Sequence, residues 1–235
     1  MVSEKEKDNI IAFWTQENLK DERKKPPYGD FASRRMFLET FGKIKGKKIL
    51  DIGCGSGRNM KWLESVGATV TGVDLSPELV KATRKLGLDV VEGDATKLPF
   101  KDNTFDVVYS LGVVEHFEET EKAVKEHVRV CKKGGTIAVV VPNKLSPFFF
   151  IEPLYHLLQG TNKYGMQANG KKFSKRKLME MLENAGMKDV QIRPYYGSVF
   201  MLGTGKYNEG LAKAIEDSFI AKKLGFMLWG WGKKK

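Results

Sequence analysis

The stretch Ile49-Leu50-Asp51-Ile52-Gly53-Cys54-Gly55-Ser56-Gly57-Arg58-Asn59 sets three glycines at alternate positions directly after a short apolar run. Glycine accepts positive φ and lets a ligand reach the main chain, while N–H groups at a helix start favour an anionic group. The chemistry implied is a small ligand seated on a turn. The spacing is G-x-G-x-G; a dinucleotide fingerprint would carry its third glycine where Arg58 stands. Asp74 closes the run Thr69-Val70-Thr71-Gly72-Val73, about twenty residues past the first glycine, where an acid that binds a ribose is expected at the end of a second strand. Asp94 and Ala95 follow a third run, Asp89-Val90-Val91-Glu92-Gly93. A fourth, Phe105 to Ser110, passes into Leu111-Gly112-Val113-Val114-Glu115-His116-Phe117. There His116 is a candidate general base, since a neutral imidazole takes a proton from a hydroxyl or amine; lining or packing the pocket is the competing role. A glycine turn alone also serves strand-to-helix packing, and a strand-end acid also caps a turn. Both acids doing only that, beside this turn, is the less economical reading.

These residues need a sheet to hold them. Ile49 to Ile52 read as a buried parallel strand, Gly53 to Gly57 as a tight turn and Asn59 to Ser65 as a helix start. Strands and helices then alternate with short connections, which predicts βαβ units. Ser76-Pro77-Glu78 predicts a capped helix through Leu86, Lys101-Asp102-Asn103-Thr104 a turn, and Glu118 to Lys132 a long helix ended by Lys133-Gly134-Gly135. Thr136 to Val141, the most uniformly apolar run, is expected to be a central strand buried on both faces. Lys47 to Asn143 resembles the class I S-adenosylmethionine (SAM) dependent methyltransferases, closest to the broad group acting on quinones, other small molecules and lipids. The rest of the chain follows that pattern loosely.

The resemblance implies a doubly wound α/β fold with a seven-stranded, mostly parallel sheet whose last strand is antiparallel and lies between the fifth and sixth. It implies SAM as cofactor and S-adenosylhomocysteine (SAH) as product. Carried onto this sequence, it gives Gly53, Gly55 and Gly57 to the methionine part of SAM, with Asp51 supporting the loop. Asp74 takes the ribose hydroxyls as a bidentate carboxylate, Leu75 packs on the adenine, Asp94 accepts from the adenine amino group beside Ala95 N–H, and Leu111 meets the methyl end. Few catalytic side chains are needed, because an in-line displacement mainly requires alignment and exclusion of water. The expected acceptor is a small or lipid-like molecule methylated on oxygen, nitrogen or carbon. The alternatives are an RNA or protein methyltransferase, and a SAM-binding protein without transferase activity. No Asn/Asp-Pro-Pro-aromatic motif follows the fourth strand, which argues against an amino-directed DNA methyltransferase. Some quinone-pathway relatives hold a divalent ion through Glu-x-x-Glu-His, but Gly112 replaces the first Glu here, and no Cys/His spacing of metal type is present, so no metal is expected.

At 235 residues the chain suits one domain with a full core. Its parts read as an N-terminal helical cap (1–45), a SAM-binding core (47–143), a lid insertion (144–173), and C-terminal helices with the last two strands (174–235). Ile10, Ile11, Phe13 and Trp14 form an amphipathic set for the cap; Pro26-Pro27-Tyr28-Gly29 makes a turn; Phe31 to Phe41 reads as a helix with Met36, Phe37 and Phe41 inward. The apolar Ser146 to Leu158, with two prolines, falls at the carboxyl edge of the sheet, where ligands of open α/β sheets bind. Tyr28, Tyr155, His156 and Tyr164 are candidate substrate contacts. Ser174 caps a helix to Asn184, Asp189 to Arg193 resumes as a strand, and Leu211 to Leu224 is a helix. Gly225 to Gly232, followed by three lysines, reads as a core strand rather than a membrane anchor. Two distant cysteines, Cys54 and Cys131, the latter at a helix end, are expected as buried thiols in a reducing cytoplasm. The formal charge is +11, and no Asp or Glu lies between Glu152 and Glu180, a span holding Lys163, Lys171, Lys172, Lys175, Arg176 and Lys177. A solvated helix face accounts for such a run; an anionic substrate, acidic lipid surface or RNA is the other reading. Oligomeric state is not legible.

Overall fold

The computed structural model describes residues 11–13, 15–16, 18–19, 31–146, 170–195 and 224–235. The elements are α1 (Phe31–Phe41), β1 (Lys48–Ile52), α2 (Arg58–Ser65), β2 (Thr69–Asp74), α3 (Pro77–Arg84), β3 (Asp89–Glu92), β4 (Phe105–Leu111), a 3-10 turn (Val114–His116), α4 (Thr120–Val130), β5 (Cys131–Pro142), α5 (Lys175–Asn184), β6 (Met187–Tyr195) and β7 (Met227–Lys234). The sheet order is β3-β2-β1-β4-β5-β7-β6. The five strands from β3 to β5 run parallel, and β7 is antiparallel to both β5 and β6. This is the doubly wound sheet expected, with its antiparallel last strand inserted between the fifth and sixth.

Alternation along the strands divides the core in two. Ile49, Val107, Tyr109 and Trp229 face one side, with Phe37 and Phe41 of α1, Met60 and Leu63 of α2, and Val80 of α3. Leu50, Ile52, Val108 and Val139 face the other, with Val124 and Val128 of α4 and Leu178 and Leu182 of α5. On the first side Phe37 stacks on Phe41 at 5.0 Å and tilts on Tyr109 at 4.9 Å, while Trp229 Nε1 donates to Thr40 Oγ1 at 3.0 Å. The C-terminal strand is thereby tied to the first helix of the core, as a buried structural element and not an anchor.

Two helix ends differ from the pattern. Ser76 caps α3, its hydroxyl accepting Leu79 N–H at 3.2 Å, but the helix stops at Arg84 and not at Leu86. The helix expected over Glu118 to Lys132 is shorter, Thr120 to Val130, and Cys131 is the first residue of β5. The cause is the neighbouring chain: Val130 O accepts Thr104 N–H at 2.8 Å, Cys131 pairs with Phe105, and the register then jumps to Val107 against Thr136. Residues 132–135 bulge from the ladder, and Gly134 takes a φ of 71°. Both cysteines are free thiols.

The close packing of α5 on β7 rests on Gly230, where an added Cβ would stand 2.8 Å from Leu182 Cδ1 and 3.1 Å from Leu178 Cδ2. Gly230→Val should therefore overpack this interface and lower stability by about 1–3 kcal/mol. Urea unfolding followed by circular dichroism measures it; an unchanged midpoint would refute the close-packing account.

Candidate cofactor site

The order of strands reverses between β1 and β4, and the ligand crevice of an open α/β sheet lies at such a point, beyond the carboxyl ends of the strands. The loops after β1, β2, β3 and β4 all emerge there. The glycine turn is bound to β2 by the main chain: Gly53 N–H and Cys54 N–H both donate to Val73 O, at 2.7 and 3.2 Å. Gly53, Gly55 and Gly57 have φ of 70°, 52° and 71°, the left-handed region that side chains disfavour. Space is short as well. A Cβ would stand 2.4 Å from Val113 Cγ2 at Gly53, 2.7 Å from Asn18 Oδ1 at Gly55, and 2.4 Å from Leu88 Cδ1 at Gly57. Gly57 is also the N-cap of α2.

Asp74 ends β2 beside this turn. Its Oδ2 accepts Gly55 N–H at 2.8 Å and its Oδ1 accepts Ser76 N–H at 3.0 Å, so the carboxylate is aimed before any ligand arrives. Burial pushes its pKa up, against the pull of those N–H groups. Thr83 Oγ1 of α3 donates to Gly55 O at 2.9 Å and fixes the other side of the turn. Leu75 is half-buried at the rim. Asp94 takes Thr96 N–H and Thr96 Oγ1, both at 2.7 Å, on its Oδ1, which locks the turn after β3; Ala95 beside it is buried in the core. Leu111, the last residue of β4, is half-buried against the aromatic side of the core.

Asp51 lies beneath the turn at 3 % exposure, and burial raises its pKa to about 7. Its register partner on β4 is Tyr109, whose buried hydroxyl faces the carboxylate and lowers its pKa somewhat, but falls short of a well-formed hydrogen bond. Burial, with Asp51 and Asp74 next in effect, pushes the Cys54 thiol well up, so it is protonated and unreactive at neutral pH. His116 is half-buried, and burial pushes its imidazole down. Beside it Glu115 is buried. His127 is fully buried in α4, with Nδ1 2.7 Å from Ala123 O and Nε2 3.0 Å from Ser110 Oγ.

The structure thus brings together Asp51, Gly53, Gly55, Gly57, Asp74, Leu75 and Leu111, places Asp94 and Ala95 on the next loop, and puts His116 after β4. Tyr28, Tyr155, His156 and Tyr164, and nearly all of the lid insertion, lie outside the described residues. Sequence reasoning missed Thr83 and Tyr109, which only the packing reveals, and the two N-terminal contacts: Asn18 over Gly55, and Thr15 Oγ1, which donates to Ser76 Oγ at 2.7 Å. It weighed Glu115 only as part of a Glu-x-x-Glu-His metal pattern and gave it no site role of its own.

Part of the basic stretch is engaged within the chain. Lys171 Nζ donates to Glu118 O and, at 3.2 Å, to Thr120 Oγ1; Arg176 pairs with Glu180 at 2.8 Å and Lys177 with Glu121 at 3.3 Å. Among the described residues there is no group of three or more metal-ligating side chains, and no helix long and apolar enough to cross a membrane.

A doubly wound sheet with a glycine turn at its switch point and an acid at the end of the next strand is the arrangement in which open α/β sheets hold nucleotide-type ligands. The comparisons with known proteins point the same way. Residues 50–139 match the family model described as methyltransferase domain. Demethylmenaquinone methyltransferase of Renibacterium salmoninarum is 34 % identical over 108 residues, covering 45 % of this chain and 46 % of the relative. Norajmaline N-methyltransferase of Rauvolfia serpentina is 37 % identical over 107 residues, covering 41 % and 36 %. The chain thus spans less than half the length of these two curated relatives. A Thermotoga maritima structure described as a SAM-dependent methyltransferase, possible histamine N-methyltransferase, shares the fold with a TM-score of 0.62 and 22 % identity, covering 96 % of this chain and 99 % of that one. Residues 50–139 thus match a methyltransferase domain, and the fold of the chain is the one shared by solved SAM-dependent methyltransferases.

The buried carboxyl of Asp51 gives a pH signature. Its pKa rises from 3.8 to about 7 on folding, so between those values the folded state holds a proton that the unfolded state has lost. That contribution is fully present below pH 3.8 and is lost as pH rises through about 7. Asp51→Asn should remove this decline, so that the variant gains stability relative to wild type as pH rises across the window. Urea unfolding of both proteins in a pH series checks it, and parallel curves would refute it.

Proposed function

We propose that the protein transfers a methyl group from SAM to a small-molecule or lipid-like acceptor. One observation carries the reading: three left-handed glycines at alternate positions, in a turn pinned to the strand that ends in Asp74, whose carboxylate already binds the second of them. A turn whose main chain carries no side chains fits a ligand lying against it, and a site floored by Asp51 and Asp74 suits the cationic amino and sulfonium groups of SAM. When bound, SAM supplies a methyl group made electrophilic by its sulfonium.

In this reading Gly53, Gly55 and Gly57 hold the methionine part, with Asp51 as the charge beneath it. Asp74 keeps lone pairs on both oxygens beyond those given to Gly55 and Ser76, enough to accept two ribose hydroxyls. Leu75 covers the adenine, Asp94 accepts its amino group beside Ala95, and Leu111 borders the methyl end. His116, neutral at pH 7, lines the acceptor side. Residues 1–45 serve as the cap and 144–173 as the lid, a division supported on the described side by the contacts of Thr15 and Asn18. The curated relatives named above act on a quinone and an alkaloid, which supports an acceptor of small-molecule size. An RNA or protein acceptor held by the basic stretch is less favoured, because Lys171, Arg176 and Lys177 are spent on internal partners. A cytoplasmic location fits the free thiols.

Calorimetric titration tests the reading. Wild type should bind SAM with a Kd in the micromolar range and bind no NADH, and Asp74→Ala should weaken SAM roughly a hundredfold or more, as expected for a lost pair of charge-assisted hydrogen bonds. Absence of SAM binding by wild type would overturn it.

A further inference from the structure

Glu115 sits in the 3-10 turn after β4 at 4 % exposure. Its main chain is engaged, since Glu115 O accepts Lys171 N–H at 3.1 Å. Of its side chain, the carboxyl meets its own backbone N–H, which offsets part of the effect of burial, while Oε2 is buried without a hydrogen-bond partner. Oε1 turns back toward the strand end, 3.5 Å from the point where a Gly112 Cβ would stand. The next residue, Val113, packs on Gly53 across the switch point, so the carboxyl belongs to the same edge as the glycine turn. Among the described residues no cation compensates it. Lys171 Nζ is directed to Glu118 O and Thr120 Oγ1, and neighbouring His116 has its imidazole pushed down by burial. A buried carboxyl lacking a partner costs the fold stability that a leucine or methionine here would not. Such groups, set in a cleft, are candidates for chemistry.

We propose that Glu115 is a catalytic residue of the acceptor subsite, receiving the proton of an amine acceptor at the unpartnered Oε2. The inference rests on the methyltransferase reading and adds the acceptor class. An amine arrives as ammonium, one of its N–H groups fills the vacant hydrogen-bonding position, and the carboxyl gives its own proton to solvent as the ion pair forms. The ammonium then returns one proton to the carboxylate. The freed nitrogen lone pair forms the N–C bond to the methyl carbon as the C–S bond breaks, its electron pair staying on sulfur. Ammonium, carboxylate and sulfonium become methylated ammonium, carboxylic acid and thioether, and net charge is conserved. Burial supports the assignment, because it raises the carboxyl to about 8, far closer than an ordinary carboxylate to the roughly 10.4 of a lysine-like amine. Aliphatic hydroxyls are much weaker acids and are poorly served by the same group.

The test uses SAH and sinefungin, the SAM analogue that carries an amine on the carbon replacing the methyl-bearing sulfur. Calorimetry at pH 7, in two buffers of different ionisation enthalpy, reads affinity and proton release together. Wild type should release close to one proton more with sinefungin than with SAH, since any release from Asp51 or Asp74 is common to both ligands. Glu115→Gln should lose that difference and weaken sinefungin roughly tenfold while leaving SAH unchanged. It should melt no lower than wild type, which a purely structural role would not permit. Equal proton release by the two ligands in wild type overturns the assignment whether or not the variant folds, as does a variant that keeps its preference for sinefungin. Failure of wild type to bind SAH overturns the cofactor reading itself, and this inference with it.

Discussion

The main chain of the β1–α2 turn lies directly against the end of β2, and the rest of the site depends on that contact. Val73 O takes two successive N–H groups of the turn, and Asp74 takes a third from Gly55. Three left-handed glycines are what allow the chain to fold back this closely. Further inside β2, Gly72 leaves the room that Cys54 Sγ and Met60 Sδ occupy, each 2.7 Å from where its Cβ would be. The glycine pattern is thus a packing requirement first, and the exposed backbone that a ligand uses is its consequence.

Three carboxyl groups gather at this edge with no cationic side chain beside them among the described residues. Asp51, Asp74 and Glu115 all have pKa values raised chiefly by burial. Several acids elsewhere are paired, as Glu126 and Asp102 are with Arg129 and Asp106 is with Lys132. The contrast is physical: the paired carboxylates stabilise the folded chain, whereas ionising the three at the crevice costs it stability.

Much of the architecture was legible because parallel strands buried on both faces read as continuous apolar runs bounded by glycine or acid. Ile49 to Ile52 and Thr136 to Val141 are of that kind, and even the last strand, Met227 to Lys234, could be told from a membrane anchor by its length and place. The end of α4 was not legible. Cys131 continues the helical pattern locally, and only its pairing with Phe105, 26 residues earlier in the chain, turns it into a strand. The site divides the same way. Asp74 and Asp94 announce themselves by position at strand ends, while Thr83 reaches Gly55 from a different helix and Tyr109 meets Asp51 through strand register. Glu115 failed for another reason: its type and place were visible, but its burial and the missing partner of Oε2 exist only in three dimensions.

The insertion of β7 between β5 and β6 also bears on how the chain is made. β6 has no other neighbour in the sheet, so when residues 187–195 leave the ribosome they have nothing to pair with, and β5 still offers an open edge. Both edges close only when residues 227–234 arrive and slide into the gap. Until then the nascent chain carries two unsatisfied strands, one of them the most apolar in the protein, which is the condition under which chains pair with each other instead of with themselves. The three lysines that follow Gly232 place positive charge at the end of that late strand, where it discourages such encounters.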